Sequence, residues 1–201
     1  MESAATNDGC FDIKQASKLD SEGRIKELRP YELVKDVAGV RDGMVCIDFG
    51  SGSGTFALPL ASYVGDAGKI YAVDRSAEML EHLRAKNPPP NVILVQRDVE
   101  QTGLDNGIAD VCLLAFILHE VKVPDRLMAE AFRLLKPGGR VMVVEWKAEL
   151  ASPGPPQKVR LTRGQVEQLF KQVGLALVMY IDWSVNHYVV IGGTAEDVGK
   201  S

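Results

Sequence analysis

Cysteine and histidine are scarce in this chain of 201 residues: three cysteines, with no Cys-x-x-Cys spacing, and three scattered histidines, His82, His119 and His187. That composition excludes a disulfide framework and a zinc site built on paired ligands, so no metal is expected. Cys46 and Cys112 lie inside apolar runs and read as small buried hydrophobes, while Cys10 stands in a polar leader. A basic excess is missing too. With 23 Lys and Arg against 27 Asp and Glu the net charge is −4, which removes the electrostatic case for nucleic acid or an anionic membrane as partner. The longest apolar run, Val111 to Leu118, is too short to cross a bilayer. Met1 to Asp8 contains no basic segment followed by an apolar one, so no signal peptide and a cytoplasmic location are expected.

What is present describes an ordinary globular protein, 46% apolar and 25% charged. A chain of this length buries roughly 70% of its unfolded surface as one domain. The expected layout is a disordered leader over residues 1–10, a single domain over 11–193 that begins with an arm over 11–29, and a frayed tail over 194–201. Small-molecule chemistry, in a monomer or homodimer, fits the composition better than a polymer partner.

The chain is organised around Val45-Cys46-Ile47-Asp48-Phe49-Gly50-Ser51-Gly52-Ser53-Gly54. Val45 to Ile47 reads as a buried strand and Thr55 to Val64 as a helix, which puts the glycines in a strand-to-helix turn. Open α/β sheets bind nucleotides at such turns. Glycine lets the backbone take positive φ and lets a ligand lie on the main chain, and the free N–H groups of the following helix favour an anionic group. A dinucleotide fingerprint needs a third glycine at position 55, where Thr55 stands, and a P-loop needs a lysine that the turn lacks. Both readings are weakened, and a nucleotide-dependent dehydrogenase remains a minor alternative.

Lys69 to Asp74 reads as a second strand ending in a carboxylate. Asp74 lies beside the glycine turn and can accept hydrogen bonds from both hydroxyls of a ribose; the competing reading is a helix-capping acid. Ser76 is a candidate N-cap with Met79 in the next turn, and the helix it opens should stop before Pro88-Pro89-Pro90. Val92 to Val95 is a third strand. The loop after it reaches the far end of a nucleotide, where Asp98 can accept from an adenine amino group and Val99 can pack on the ring; Asp98 could equally be a solvated turn residue.

Asp110 to Val121 is too apolar for an edge strand and predicts a central fourth strand running into the active-site loop. Pro124 to Leu135 predicts a helix, Lys136-Pro137-Gly138-Gly139 a turn, and Arg140 to Trp146 the fifth strand. A helix over Arg163 to Val173 is capped by Thr162 and ended by Gly174. Leu175 to Ile181 and His187 to Ile191 are separated by five residues, a gap that fits a hairpin and is too short for a parallel crossover. Pro30 starts a helix carrying Leu33, Val34 and Val37, and Gly39 ends it. Phe11 to Arg29, with neither alternation nor long helical periodicity, is expected to be an ordered arm.

Asp48 to Gly54, Asp74, Arg97-Asp98-Val99, Asp110 to His119 and Leu135-Lys136-Pro137-Gly138-Gly139 together resemble the motifs of the class I S-adenosylmethionine-dependent methyltransferases, over roughly residues 11–192. The likeness is to the group that includes the ubiquinone and menaquinone biosynthesis C-methyltransferases. It implies a Rossmann-like, doubly wound α/β fold with a seven-stranded sheet whose last strand is antiparallel. It also implies S-adenosyl-L-methionine as cofactor, S-adenosyl-L-homocysteine as product, and a cofactor site made of Asp48, Gly50, Ser51, Gly52, Gly54, Asp74, Arg75, Met79, Asp98, Val99 and Ala115. Leu118-His119-Glu120 stands where many relatives have Leu-His-His, which leaves the acceptor open. Leu19 to Arg24 resembles a leader that lies over the cofactor in some relatives.

Such a fold implies methyl transfer to a small or medium organic acceptor by in-line displacement. Positioning dominates the rate, contributing on the order of 7–11 kcal/mol. A general base adds about 10²–10⁴-fold when the nucleophile carries a proton. His119 is the candidate base, with Glu120 orienting it or acting itself; His119 could instead merely pack against the cofactor loop. Phe11, Tyr31, Phe116 and Trp146 could face the sulfonium or wall an apolar acceptor, or simply be core. Lys147 and His187 are weaker candidates. The alternative function is a module that binds S-adenosylmethionine or its product without transferring the methyl group, distinguished by whether the acceptor side is chemically equipped.

Overall fold

The computed structural model describes residues 16–149 and 154–194, with side chains from residue 18. Seven strands form one sheet in the order β3-β2-β1-β4-β5-β7-β6. They are β1 Val45–Phe49, β2 Lys69–Asp74, β3 Val92–Gln96, β4 Ala109–Ala115, β5 Leu135–Trp146, β6 Ala176–Asp182 and β7 His187–Gly193. Strands β1 to β5 pair in parallel, and β7 runs antiparallel to both of its neighbours, β5 and β6. The connection before His187, four residues long between Asp182 and His187, therefore closes a hairpin, as its short length required.

Alternation along the strands divides the core between two faces. Cys46, Val111, Leu113, Met142, Val144, Val189 and Ile191 point to one side, and Ile47, Phe49, Cys112, Leu114, Val141, Val143 and Val190 to the other. On the first side lie α3 (Pro30–Glu32), the π-helix Leu33–Val37 that continues it, α4 (Ala57–Val64) and Leu83 of α5 (Ala77–Ala85). On the second lie α6 (Pro124–Leu134) and α7 (Arg163–Val173). Strands covered on both faces must be apolar throughout, and β4 and β7 are nearly so.

Caps behave as their residue types dictate. The Ser76 hydroxyl accepts from the Met79 N–H at 3.2 Å. Thr162 and Gln165 form a reciprocal capping box, and Gly174 closes α7 at φ 89°.

Two elements left open by the sequence are now defined, and one boundary needs correction. From residue 16 the arm is helical, as α1 (Ala16–Leu19) and α2 (Glu22–Leu28). Both are too short to show periodicity and are held by tertiary contacts such as the fully buried Leu28. Within the stretch expected to run from strand into loop, the fourth strand ends at Ala115, where Phe116 takes φ +59° and turns the chain out of the sheet. The fifth begins at Leu135, five residues early: Ala109 pairs with Leu135 before a register shift, so the Lys136 to Gly139 turn lies inside the strand as an irregularity. The leader over residues 1–10, Phe11, and the tail beyond Thr194 fall outside the described residues.

Candidate active site

The carboxyl ends of β1, β2 and β4 and the loop after β3 open on a single cleft of about 640 Å³, at the switch point where the chain leaves β1 on one side for β2 and on the other for β4. Its volume suits a nucleoside-sized ligand with a second small molecule beside it. Asp48, Gly50, Ser51, Gly52, Asp74, Arg75, Met79, Asp98, Val99 and Ala115 all line it. Ten of the eleven expected cofactor-site residues thus meet in one wall.

Gly54 does not line the cleft. Its φ of +88° turns the chain into α4, and a Cβ there would come 2.3 Å from Leu83 Cδ1, so its requirement is close packing. Gly50, at φ +68°, is part of the wall, and a Cβ there would meet Ile117 at 2.8 Å.

Asp74 is oriented by two main-chain donors: Gly52 N–H to Oδ2 and Ser76 N–H to Oδ1, each at 2.9 Å. Burial raises its pKa, and these bonds oppose the rise. Asp48 is buried at the end of β1, with Oδ2 lacking any hydrogen-bond partner among the described residues, and the buried Ser51 hydroxyl is likewise without one. Burial first, then the nearby Asp74 charge, pushes Asp48 up to about 7. Two unsatisfied buried oxygens in a cleft wall are costly unless a ligand completes them, and a cationic donor such as an ammonium suits both. The loop after β3 is held by Asp98 itself, whose Oδ1 accepts from the Glu100 N–H at 2.8 Å.

The two candidate catalytic residues separate. Glu120 lines the cleft and His119 does not. The His119 ring turns its Nδ1 onto Glu145, 2.8 Å from Oε2 and 3.0 Å from Oε1, and its Nε2 lies 3.9 Å from Glu120 Oε1. Burial opposes charge on the imidazole, but the adjacent Glu145 carboxylate outweighs it and the pKa is raised. With Nδ1 engaged by Glu145 and the ring outside the cleft lining, His119 is not placed to take a proton from a molecule in the cleft. Glu120 is pushed up to about 7, chiefly by burial, with the His119 charge acting against the rise. That value matches general-base work at neutral pH.

Phe116 lines the cleft at the strained φ noted above. Its ring packs 5.8 Å from Trp146 and 5.2 Å from His187, and Trp146 is 4.3 Å from His187, so these aromatics form one cluster behind the wall. Tyr31 is half exposed and packs on Tyr63, and Lys147 pairs with Asp182 at 3.1 Å; neither lines the cleft.

Leu19 and Arg24, from the stretch whose likeness to a cofactor-covering leader was noted, line the cleft; Thr55 and Ile117 line it without having been singled out, and Glu145 supports the site unanticipated. Of the last three only Glu145 carried a legible signal, a carboxylate inside the apolar run Val141 to Trp146.

Comparison with known proteins decides the family. Residues 47–143 match the model of the "Methyltransferase domain" family. The ubiquinone/menaquinone biosynthesis C-methyltransferase of Yersinia pestis is 32% identical over 168 residues, covering 71% of this chain and 67% of the relative. The chain belongs to the class I S-adenosylmethionine-dependent methyltransferases. The crystal structure of a SAM dependent methyltransferase from Aquifex aeolicus superimposes with a TM-score of 0.85 at 25% identity, over 92% of this chain and all of that one. With the enzyme of the same name from Idiomarina loihiensis the identity is 33% over 121 residues, 58% of this chain. The chain spans about half the length of that relative, 48%. The cofactor of this family is S-adenosylmethionine, and the residues in the wall fit it: unsatisfied oxygens for an amino-acid head, a doubly oriented carboxylate for a ribose, and an apolar and acidic loop for a base.

Proposed function

We propose that the protein transfers a methyl group from S-adenosylmethionine to a small or medium-sized organic acceptor by in-line displacement. The observation that carries the reading is Glu120: the cofactor cleft also holds a titratable carboxyl, pushed up to about 7, in its wall. A chemically equipped acceptor side favours catalysis over a module that only binds the cofactor.

Bound S-adenosylmethionine supplies an electrophilic methyl carbon on a good leaving group. The glycine turn and Asp48 hold its amino-acid end, Asp74 its ribose, and Asp98 and Val99 its base, with Arg75, Met79 and Ala115 completing the wall. Phe116 and Ile117 exclude water from the reacting end. Glu120 takes the proton of the acceptor at its carboxylate, and His119, fixed by Glu145, keeps that carboxylate oriented and charged as a positioning residue.

The named relatives methylate carbon in quinone biosynthesis, which makes an activated carbon acceptor the first class to try. We place the protein in the cytoplasm as a monomer or homodimer, with one domain over 11–193; no helix among the described residues is long and apolar enough to cross a membrane. The test is incubation with methyl-labelled cofactor and a metabolite extract. Label entering a small organic product with the wild type, and far more slowly with Glu120→Gln, supports the reading. Cofactor binding without any labelled product across extracts would favour the binding module.

A further inference from the structure

The arm contributes a cation to the cleft. Its two helices are joined at Asp20, whose Oδ1 accepts from the Ser53 hydroxyl at 2.9 Å and whose Oδ2 meets Lys86 Nζ at 2.7 Å. Lys86 also donates to the Ser53 carbonyl at 2.7 Å, so arm, glycine turn and α5 are tied at one point. This latch brings Arg24 of α2 into the cleft wall. Nη1 of Arg24 donates to the Leu19 carbonyl at 2.7 Å and to the Thr55 hydroxyl at 3.3 Å, and the guanidinium sits 5.3 Å from the centre of the Phe116 ring. Nη2 and Nε make no hydrogen bond among the described residues, so part of a five-donor fork is unspent.

Position along the cleft gives this cation its use. Because the strands run in the order β3-β2-β1, the loop of Asp98 and Val99 after β3 marks one end, Asp74 at the end of β2 the middle, and the unsatisfied oxygens of Asp48 and Ser51 at β1 the other. Arg75 adjoins Asp74, and Arg126 approaches Glu100 to 4.0 Å, toward the first end. Arg24, bonded to Thr55 just past the glycine turn, belongs to the opposite end. An amino acid presents an ammonium and a carboxylate together. Asp48 suits the ammonium, and the carboxylate requires a cation on the facing side, for which a guanidinium fork is geometrically matched.

Resting on the cofactor reading above, we propose that Arg24 binds the carboxylate of the cofactor's amino-acid end, so that the arm is a working part of the cofactor site. Burial holds Arg24 down to about 10, a value at which it is still charged at neutral pH and gains from an anionic partner.

Two ligands test this by calorimetry: S-adenosylhomocysteine, and its decarboxylated analogue, which keeps the amine and lacks only the carboxylate. Wild type should bind the first at least tenfold more tightly than the second. Arg24→Gln, which retains a hydrogen-bonding side chain, and Arg24→Ala should each weaken S-adenosylhomocysteine at least tenfold and the analogue less than twofold, with Arg24→Lys in between. Equal binding of the two ligands by wild type overturns the proposal without any variant. Equal losses for both ligands in the variants also overturn it, since a merely structural arm predicts that result. Wild type binding S-adenosylhomocysteine with no change in Arg24→Gln sinks the arm's role alone, whereas wild type binding neither ligand sinks the cofactor reading with it.

Discussion

His119 Nδ1 and Glu145 Oε2 stand 2.8 Å apart, with the histidine side chain nearly buried and the glutamate wholly so. Removing one member of such a pair strands the other: His119→Asn should lower unfolding stability by about 3–5 kcal/mol, read by urea denaturation. The histidine's folded pKa is raised, so the pair's contribution is fully present below the unfolded value of about 6.5 and fades as pH rises through the folded one. The deficit of the variant should therefore be largest below about pH 6.5 and shrink as pH rises above it. A pH-independent deficit would show that the imidazole carries no charge there.

Glu120 sets the expected pH profile. Turnover should rise with pH through a limb near 7 and level off above it, since the carboxylate is the active form. Glu120→Gln should remove that limb and slow turnover by about 10²–10⁴-fold while leaving cofactor affinity nearly unchanged. Retention of the limb in the variant would assign it elsewhere.

Asp48 should make cofactor affinity depend on pH. Its raised pKa, about 7, means that a ligand ammonium must displace a proton below neutrality. The dissociation constant should then rise by up to about tenfold per pH unit between 7 and 5, and the slope should vanish in Asp48→Asn. An identical slope in both proteins would exclude the ammonium contact.

Asp74→Ala tests the ribose contact. Loss of charged hydrogen bonds worth roughly 1.5–3 kcal/mol each should weaken S-adenosylhomocysteine at least tenfold by calorimetry. Unchanged affinity would leave Asp74 only its observed task of bracing Gly52 and Ser76.

Gly54→Ala should destabilise the fold by about 1–3 kcal/mol, combining strain at φ +88° with overlap on Leu83, and should affect cofactor affinity less than Gly50→Ala does. Thermal melts and calorimetry on both variants separate the effects.

Local chemistry made much of this molecule readable from its residues. β2 spans Lys69 to Asp74, α7 spans Arg163 to Val173 between its Thr162 and Gly174 caps, and the hairpin before His187 follows from its short gap. The wall of the cleft was legible for the same reason, because glycines and strand-end carboxylates announce their geometry. What escaped depends on contacts distant in sequence. The arm's helices are too short to leave a periodicity, and the end of β4 is set by the conformation of one residue, Phe116. The preference between His119 and Glu120 could not be read either: both follow Leu118, and only the packing of Glu145 from β5 draws the ring away and leaves Glu120 facing the cleft.

The position of β7 between β5 and β6 also makes one edge of the sheet depend on a single strand. β6 has no sheet partner among the described residues other than β7, so its whole attachment to the sheet passes through residues 187–193. Cutting the chain before residue 187 would therefore strip two strands from that edge at once and leave β5 as a bare rim.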